Sequence, residues 1–185
     1  GVIMLNGKEM DYEGNRTNLV DYRGDDFQEV IPNWKQFITH RYEILSHCEH
    51  PSHMKKLIDD FHETIWEMST TAFDKPREIQ VVIDGNDKCH ISAGNPGYVT
   101  FGGQEEGLAG MKFPLKEWIH THPFGQAFWS GTDMNTLGMY ERFLDSATVI
   151  GKGEKQSVYF RHDAEGNNYH EYTQYSWDNE TGEEE

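Results

Sequence analysis

The sequence predicts an α/β fold in which a β-sheet built from short strands is flanked by helices. Two observations support this class. Apolar residues recur at three- and four-residue spacing between Ser52 and Phe73, which predicts an amphipathic helix. After Pro76, runs rich in β-branched and aromatic residues alternate with glycine-containing turns, as expected for strands. The 185 residues are enough to bury one hydrophobic core.

The chain divides into three predicted segments. Residues 1–50 form an N-terminal extension of uncertain fold, because glycines and a proline interrupt any periodic pattern there. Residues 51–175 form the main domain. Residues 176–185 form an acidic tail. From Asp178 to Glu185 this tail has no apolar residue, so we expect it to be solvated and disordered.

The main domain opens with the helix between Ser52 and Phe73. Ser52 lies where it can cap the first turn, and Pro76 stops the helix. The residues on the predicted apolar face are Met54, Leu57, Ile58, Phe61, Ile65, Trp66 and Met68. We therefore expect this helix to bury one face against the core.

Seven short segments of the main domain have the composition of strands. They cover residues 78–83, 89–92, 97–101, 115–121, 147–150, 157–160 and 169–173. A second helix is predicted after Asp133, with apolar residues continuing to Leu144. Ser130 or Thr132 could begin it. The glycine-rich stretch 102–110 is expected to be a loop that moves freely unless a ligand binds it.

Charge and cysteine content restrict the classes of function. Acidic residues outnumber Lys and Arg by 32 to 16, giving a formal net charge of -16 that repels phosphate backbones and argues against a nucleic-acid partner. Cys48 and Cys89 form no CxxC pair, which indicates a reducing compartment, and we expect Cys89 to be a small buried side chain rather than a nucleophile. No signal peptide or membrane-spanning run is visible, so we expect a cytoplasmic protein without a membrane partner.

Two histidines form the start of the most informative pattern in the chain. His120 and His122 lie two apart on a predicted strand, so both imidazoles point to one face. Asp133, at the start of the next helix, can be brought back by the intervening loop as an oxygen ligand. Two nitrogen ligands and one oxygen ligand leave the fourth tetrahedral position of a catalytic zinc open for water. An HxH pair alone is weak evidence, because most such pairs are exposed or hydrogen-bonded.

The whole string from His120 to Asp133 is far more restrictive. It reads H-x-H-P-x6-S-x-x-D, which matches letter for letter the defining motif of the JAMM (JAB1/MPN/Mov34, MPN+) family of metallo-isopeptidases. The stretch from Ser130 to Thr136 further resembles the proteasome-lid and COP9 signalosome members. The resemblance implies the mixed, curved sheet of JAB/MPN domains, a cytidine-deaminase-like layer architecture, with the Ser52 helix on one side and the Asp133 helix near the metal.

The same resemblance implies a set of residue roles. Zinc is held by His120, His122 and Asp133. Glu78, at the start of the strand that follows the first helix, is the general base that takes a proton from the attacking water. The Ser130 hydroxyl donates a hydrogen bond to the developing oxyanion.

Several assignments around this motif have alternatives. Glu63 and Glu67 on the preceding helix are rivals of Glu78, which could instead be a solvated carboxylate at a strand edge. Four aromatic side chains that flank the motif are candidates for a substrate groove, although aromatic residues beside a strand are more often part of the core: Trp118, Phe124, Phe128 and Trp129. Trp129, next to Ser130, is the one expected to reach the cleft. The segment between Glu78 and His120 is shorter than in eukaryotic family members, so we expect Gly103 and its loop to take the place of their substrate-gripping insertion.

The expected function is hydrolysis of an amide bond at the C-terminal tail of ubiquitin or a ubiquitin-like protein, with the need for an activating protein partner left open. One alternative is a JAMM-type processing peptidase for a sulfur-carrier, phage or bacterial precursor protein, and another is a non-catalytic MPN scaffold. A nucleobase deaminase is set aside because H-x-E with P-C-x-x-C is absent. A second metal on His47, Cys48, His50 and His53 is the weaker interpretation of a segment that reads as a polar loop.

Overall fold

The structure is a computed structural model, and it describes residues 2–5, 8–11, 27–73, 75–93 and 110–176. The chain separates into two compact units, Gly1–Arg77 and Glu78–Glu185, and each is described by itself. The predicted strand 97–101, the position of Gly103 and the tail from Asp178 onward lie outside the described residues. The predicted boundaries after residues 50 and 175 stay predictions.

Three helices and eight strands make up the described secondary structure. The helices are α1 Phe27–Ser46, α2 Pro51–Thr71 and α3 Gly131–Tyr140. The strands are β1 Val2–Leu5, β2 Lys8–Asp11, β3 Ile79–Ile83, β4 Cys89–Ala93, β5 Leu115–Thr121, β6 Leu144–Gly151, β7 Glu154–His162 and β8 Asn168–Ser176. None of the described helices combines the length and the apolar character that crossing a lipid bilayer requires.

The first unit contains the β1–β2 antiparallel hairpin and the helices α1 and α2. The two helices pack together through Tyr42 and Phe61, whose ring centroids lie 5.4 Å apart. Arg41 and Asp60 form an ion pair at 3.7 Å between the same helices. The sequence pattern did not predict α1, although Trp34 and Phe37 bury one of its faces.

The helix predicted between Ser52 and Phe73 is confirmed as α2, but its start differs from the prediction. Its N-cap is His50, which makes no side-chain capping bond, and Pro51 occupies the first turn. Ser52 is therefore not the cap. A proline fits this position because its missing N–H would have had no helical partner, and its fixed φ suits a helix. The helix ends at Thr71, before Pro76, and buries Phe61, His62, Thr64, Ile65, Met68 and Ser69.

The second unit is built on a six-stranded sheet with the order β4-β3-β5-β6-β7-β8. Strands β5 and β6 are parallel and all other neighbours are antiparallel, so the sheet is mixed. Parallel neighbours need a crossover connection, and α3 supplies it between β5 and β6. The α/β class with a mixed sheet is thereby confirmed.

The second predicted helix is confirmed as α3, with Ser130 rather than Thr132 as its N-cap. The prediction that helical structure continues to Leu144 is wrong. A 3-10 turn covers Glu141–Phe143, and Leu144 already begins β6. Phe143 and Leu144 extend the apolar spacing of the helix, but the chain must turn there to enter the parallel strand.

A hydrophobic cluster in the second unit joins strands of the sheet to one side chain of α3. The buried members of this cluster are Val82, Leu115, Trp118, Leu137, Leu144, Ala147 and Val158. Leu137 is the contribution of the helix. Met111, Trp129, Tyr140 and Phe160 pack against the cluster while keeping some exposed surface. Burial of this cluster fixes α3 against the strands, since each apolar side chain removed from water contributes about 1.5–3 kcal/mol.

Asp84 organises the turn between β3 and β4. Its carboxylate is 2% exposed and accepts hydrogen bonds from the amides of Asn86 (2.8 Å) and Lys88 (3.1 Å). The Nε2 atom of His90 lies 2.8 Å from the other carboxylate oxygen. Burial by itself would raise the pKa of Asp84, but His90 and the backbone amides stabilise the anion and hold its pKa below the usual value.

Replacing Asp84 with Asn should therefore destabilise the protein by about 1–3 kcal/mol, because the amide group cannot accept from both sets of donors. Urea denaturation at pH 7 measures this difference. Asp145→Asn, at an exposed position of β6, is the matched control and should have little effect. A carboxyl with a lowered folded-state pKa stabilises above its ordinary value of about 4. The difference between wild type and Asp84→Asn should therefore shrink as pH falls through the lowered pKa, and a constant difference would contradict this account.

Candidate metal centre

Three side chains from the end of β5 and the first turn of α3 converge in the second unit. The Oδ2 atom of Asp133 lies 3.1 Å from Nε2 of His120 and 3.4 Å from Nε2 of His122. Their ligand-type atoms are all within 4.8 Å of one another. This is the only such grouping of three or more His, Cys, Asp or Glu side chains in the part of the chain that the structure describes. The predicted metal ligands are thus brought together.

Strand alternation and the β5–α3–β6 crossover explain this convergence. His120 lies near the end of β5 and His122 follows the strand directly, with its amide donating to the carbonyl of Ile150 on β6 at 2.8 Å. The pleat places both rings on the same side of the sheet. The chain then returns through the loop 123–130 into α3, whose first turn carries Asp133. The helix start and the strand end therefore meet at one edge of the sheet.

A capping box fixes Asp133. The Ser130 hydroxyl accepts the Asp133 amide at 3.1 Å, and the Asp133 Oδ2 atom accepts the Ser130 amide at 3.0 Å. The reciprocal bonds satisfy two amides at the start of α3 and lock the carboxylate rotamer. Because the Ser130 hydroxyl only accepts here, its own proton remains available for a further partner.

His120 has the properties of a ligand rather than of a hydrogen-bonded core residue. It is 1% exposed, and neither ring nitrogen makes a hydrogen bond within the described structure, even though Asp133 is close. The carboxylate is near enough for an ion pair but lies in a direction that does not satisfy a hydrogen bond. An unpaired buried nitrogen is costly, and a cation shared with Asp133 would satisfy Nε2, the His120 nitrogen that lies 3.1 Å from the carboxylate. The donor set therefore fits a metal ion.

The electrostatics of the three residues are coupled. Burial lowers the pKa of His120 below its usual value despite the neighbouring Asp133, which favours the neutral imidazole that binds metal. Burial alone would lower the pKa of His122, but Asp133 and Glu78 together raise it. Burial alone would raise the pKa of Asp133, yet the two imidazoles and the Ser130 amide hold it far below the usual range. The aspartate is thus an anion at neutral pH.

The His120 ring is held in place by Trp118 and, through it, by Gln80; the sequence marked Trp118 only as a groove or core candidate and did not mark Gln80. Trp118 stacks on the His120 ring with ring centroids 4.6 Å apart and planes 14° apart. The indole Nε1 atom of Trp118 donates to Oε1 of Gln80 at 3.1 Å, in a fully buried contact. The i, i+2 alternation of residues 118, 120 and 122 could have indicated Trp118. Gln80 lies on another strand, so only the β3–β5 register reveals it.

Glu78 lies directly before β3 and is 8% exposed. In the antiparallel β3–β5 register Gln80 faces His120, so the same register continued by two residues sets Glu78 opposite His122. The contribution of Glu78 to the raised pKa of His122 agrees with this placement. The backbone beside Glu78 is anchored because the Ile79 amide donates to Oγ1 of Thr121 at 2.9 Å. The rivals Glu63 and Glu67 lie on α2, in the other compact unit.

Aromatic side chains surround the histidines. The Phe128 ring is 53% exposed and meets the His122 ring edge-on at 4.8 Å. Trp129 lies 5.9 Å from His120 and packs partly against the hydrophobic core, with its indole N–H buried and unpaired within the described structure. Phe124 is 65% exposed. The predicted substrate-binding roles of Phe128 and Trp129 stay predictions, and Gly103 lies outside the described residues.

The histidines and cysteine between residues 47 and 53 are not brought together as a metal site. His47 Nδ1 bonds the carbonyl of Glu43 at 2.8 Å, and the thiol of Cys48 donates to the carbonyl of His50 at 3.3 Å. The rings of His50 and His53 are in contact at 5.3 Å. These contacts lie at the end of α1 and the start of α2.

Comparison with protein-family models, curated proteins and solved structures finds no match to this chain. The buried His–His–Asp group could hold a metal ion, and that much follows from its geometry.

If Asp133 is a metal ligand, its carboxylate is required for tight metal binding. Asp133→Asn should weaken the affinity for Zn²⁺ by more than about 100-fold, beyond the loss expected when only a supporting residue is removed. Ser130 remains the N-cap, and the amide oxygen of an asparagine can still accept the Ser130 amide, so α3 should remain folded. Competition with a chromophoric chelator measures the dissociation constant, and circular dichroism checks the fold. Asp145→Asn is the control, and unchanged zinc affinity in Asp133→Asn would contradict the assignment.

Proposed function

We propose that this chain is a zinc-dependent amide hydrolase of the JAMM type. The observation that carries the proposal is the convergence of His120, His122 and Asp133 at a buried edge of the sheet, with Glu78 opposite His122. These residues stand in the order and spacing of the family motif. The mixed sheet with α3 crossing between parallel strands supports the finer JAB/MPN, cytidine-deaminase-like architecture as part of the same proposal.

The proposed resident metal is zinc. Two imidazoles and one carboxylate are the ligand set of catalytic zinc sites, with the remaining position open to solvent or substrate. When bound, zinc would supply a Lewis acid that makes water more acidic and polarises a carbonyl group. Iron or cobalt would suit the same ligands, so the metal found in the isolated protein decides among them.

Glu78 is the proposed general base and acid. Its carboxylate accepts a proton from the attacking water while the water oxygen forms a bond to the amide carbon. It then returns that proton to the nitrogen as the carbon–nitrogen bond breaks, which releases a neutral amine and a carboxylic acid. The burial of Glu78 supports this role, because a proton held there is shielded from bulk water.

Ser130 is the proposed oxyanion donor. Its hydroxyl oxygen is held by the Asp133 amide, which leaves the hydroxyl proton free to reach the carbonyl oxygen of the substrate. A donor of this kind contributes more as negative charge develops on that oxygen than in the ground state. One residue thus caps α3 and takes part in the proposed reaction.

The proposed substrate is the extended C-terminal tail of ubiquitin or a ubiquitin-like protein. The exposed rings of Phe124 and Phe128 next to His122 offer apolar surface to an extended chain. The formal net charge of -16 favours the approach of a neutral or basic tail over an acidic one.

A panel of ubiquitin chains, ubiquitin-like fusions and sulfur-carrier fusions, incubated with zinc-loaded protein, tests the proposal. We expect cleavage of at least one member, and Glu78→Gln should lower turnover by about 10²–10⁴-fold because it removes general base catalysis. Its zinc affinity should stay near that of wild type. Glu165→Gln, at an exposed turn, is the matched control and should retain full activity.

Two outcomes would contradict the proposed reaction. Cleavage that survives both a chelator and Glu78→Gln would show that another group performs the chemistry. Stoichiometric zinc binding without cleavage of any panel member, alone or with cell extract as a source of activating partner, would favour a non-catalytic scaffold.

A further inference from the structure

The peptide unit between Gln126 and Ala127 connects the metal centre to the turn between β6 and β7. Its carbonyl oxygen, on Gln126, accepts from Nδ1 of His122 at 3.3 Å. Its N–H, on Ala127, donates to Oε1 of Glu154 at 2.9 Å. Both bonds therefore act on one planar group, and rotating that group would break both.

The Nδ1 bond has a consequence for His122. A carbonyl oxygen can only accept, so Nδ1 must carry a proton, and in the neutral imidazole that binds a metal the lone pair is then on Nε2. Nε2 is the atom that lies 3.4 Å from Asp133 Oδ2. The Gln126 carbonyl thus selects the tautomer and the ring orientation that present the ligand nitrogen to the centre.

Gly151 lets the β6–β7 turn come this close. A Cβ atom at residue 151 would lie 2.2 Å from the Ala127 nitrogen and 2.5 Å from the Gln126 carbonyl carbon. Contacts this short with backbone atoms are not tolerated, so only glycine allows this approach. Ala127 is 3% exposed, which keeps its amide from exchanging Glu154 for water.

We propose that Glu154 is a positioning residue of the metal centre, acting on His122 through the Gln126–Ala127 peptide. The carboxylate fixes the orientation of the peptide and polarises it, which makes the Gln126 carbonyl a better acceptor for the imidazole N–H. Residues that orient a ligating histidine in this way support metal affinity. The proposal rests on the metal centre of the proposed function and adds a residue to it that lies outside the motif.

The fold should survive removal of the Glu154 carboxylate. The same loop is also held by the Lys152 amide, which donates to the Gly125 carbonyl at 3.0 Å, and by the His122 amide, which donates to Ile150. These are backbone bonds that no side-chain change removes. Substitution of Glu154 therefore tests the positioning of one peptide rather than the formation of the loop.

The test compares zinc dissociation constants of wild type, Glu154→Ala and Glu154→Gln by chelator competition. Glu154→Ala should weaken zinc binding about 10–100-fold. Glu154→Gln should lose less, because its carbonyl oxygen can still accept from the Ala127 amide. Glu165→Ala, which removes a carboxylate from the exposed β7–β8 turn, is the matched control. Histidine ¹⁵N spectra of the zinc-free protein should show the His122 proton on Nδ1 in wild type and a mixture of tautomers in Glu154→Ala.

The outcomes separate this inference from the proposed function. Wild-type zinc affinity in Glu154→Ala, or a wild-type His122 proton on Nε2, would overturn the inference while leaving the hydrolase proposal intact. If zinc affinity falls from wild type to Glu154→Gln to Glu154→Ala but the protein cleaves no panel member, the inference is supported and the hydrolase proposal is contradicted. A wild-type protein that binds no zinc would overturn both.

Discussion

In the second unit, the junction between the end of β5 and the start of α3 depends on a single oxygen atom. Oδ2 of Asp133 accepts the Ser130 amide and lies beside Nε2 of both His120 and His122. The first contact starts a helix, and the other two place the end of β5 next to that helix. Asp133 therefore links the start of α3 to the end of β5, and the candidate metal centre lies where the two meet.

Gathering these polar side chains away from water has an energetic cost. A buried imidazole, a half-buried imidazole and a buried carboxylate are gathered here, and the nitrogens of His120 have no hydrogen-bond partner among the described residues. Desolvation without compensation is unfavourable, so the site stores free energy that a cation would release. The hydrophobic cluster around Trp118 and Leu137 supplies the stability that keeps the ligands assembled. Stacking of Trp118 on His120 links that core directly to the site.

The site could be predicted further than the fold around it. Period-two alternation on a strand predicts that His120 and His122 share one face, and the resemblance of the string from His120 to Asp133 to the family motif indicated the full set of ligands. Composition also predicted β5, the strand that precedes α3, and the family resemblance predicted the mixed sheet. By contrast, α1 was missed because Pro32 and nearby glycines obscured its period.

Other features could not be predicted because they depend on pairing between distant segments. The end of α3 at Tyr140 was placed too late, since apolar spacing alone cannot distinguish the last helical turn from the first residues of a buried strand. Gln80 and Glu154 reach the site through the β3–β5 register and the β6–β7 turn, and no local pattern marks either residue. Long-range register is the information that a single sequence lacks.

The most direct test of the central claim is the zinc K-edge X-ray absorption spectrum of the protein loaded with one equivalent of Zn²⁺. Binding by His120, His122 and Asp133 predicts a first shell of nitrogen and oxygen atoms at about 2.0–2.2 Å with the outer-shell scattering of two imidazoles. Sulfur scattering at about 2.3 Å, which would place zinc on Cys48 or Cys89, would contradict it. A shell without imidazole scattering would contradict it equally.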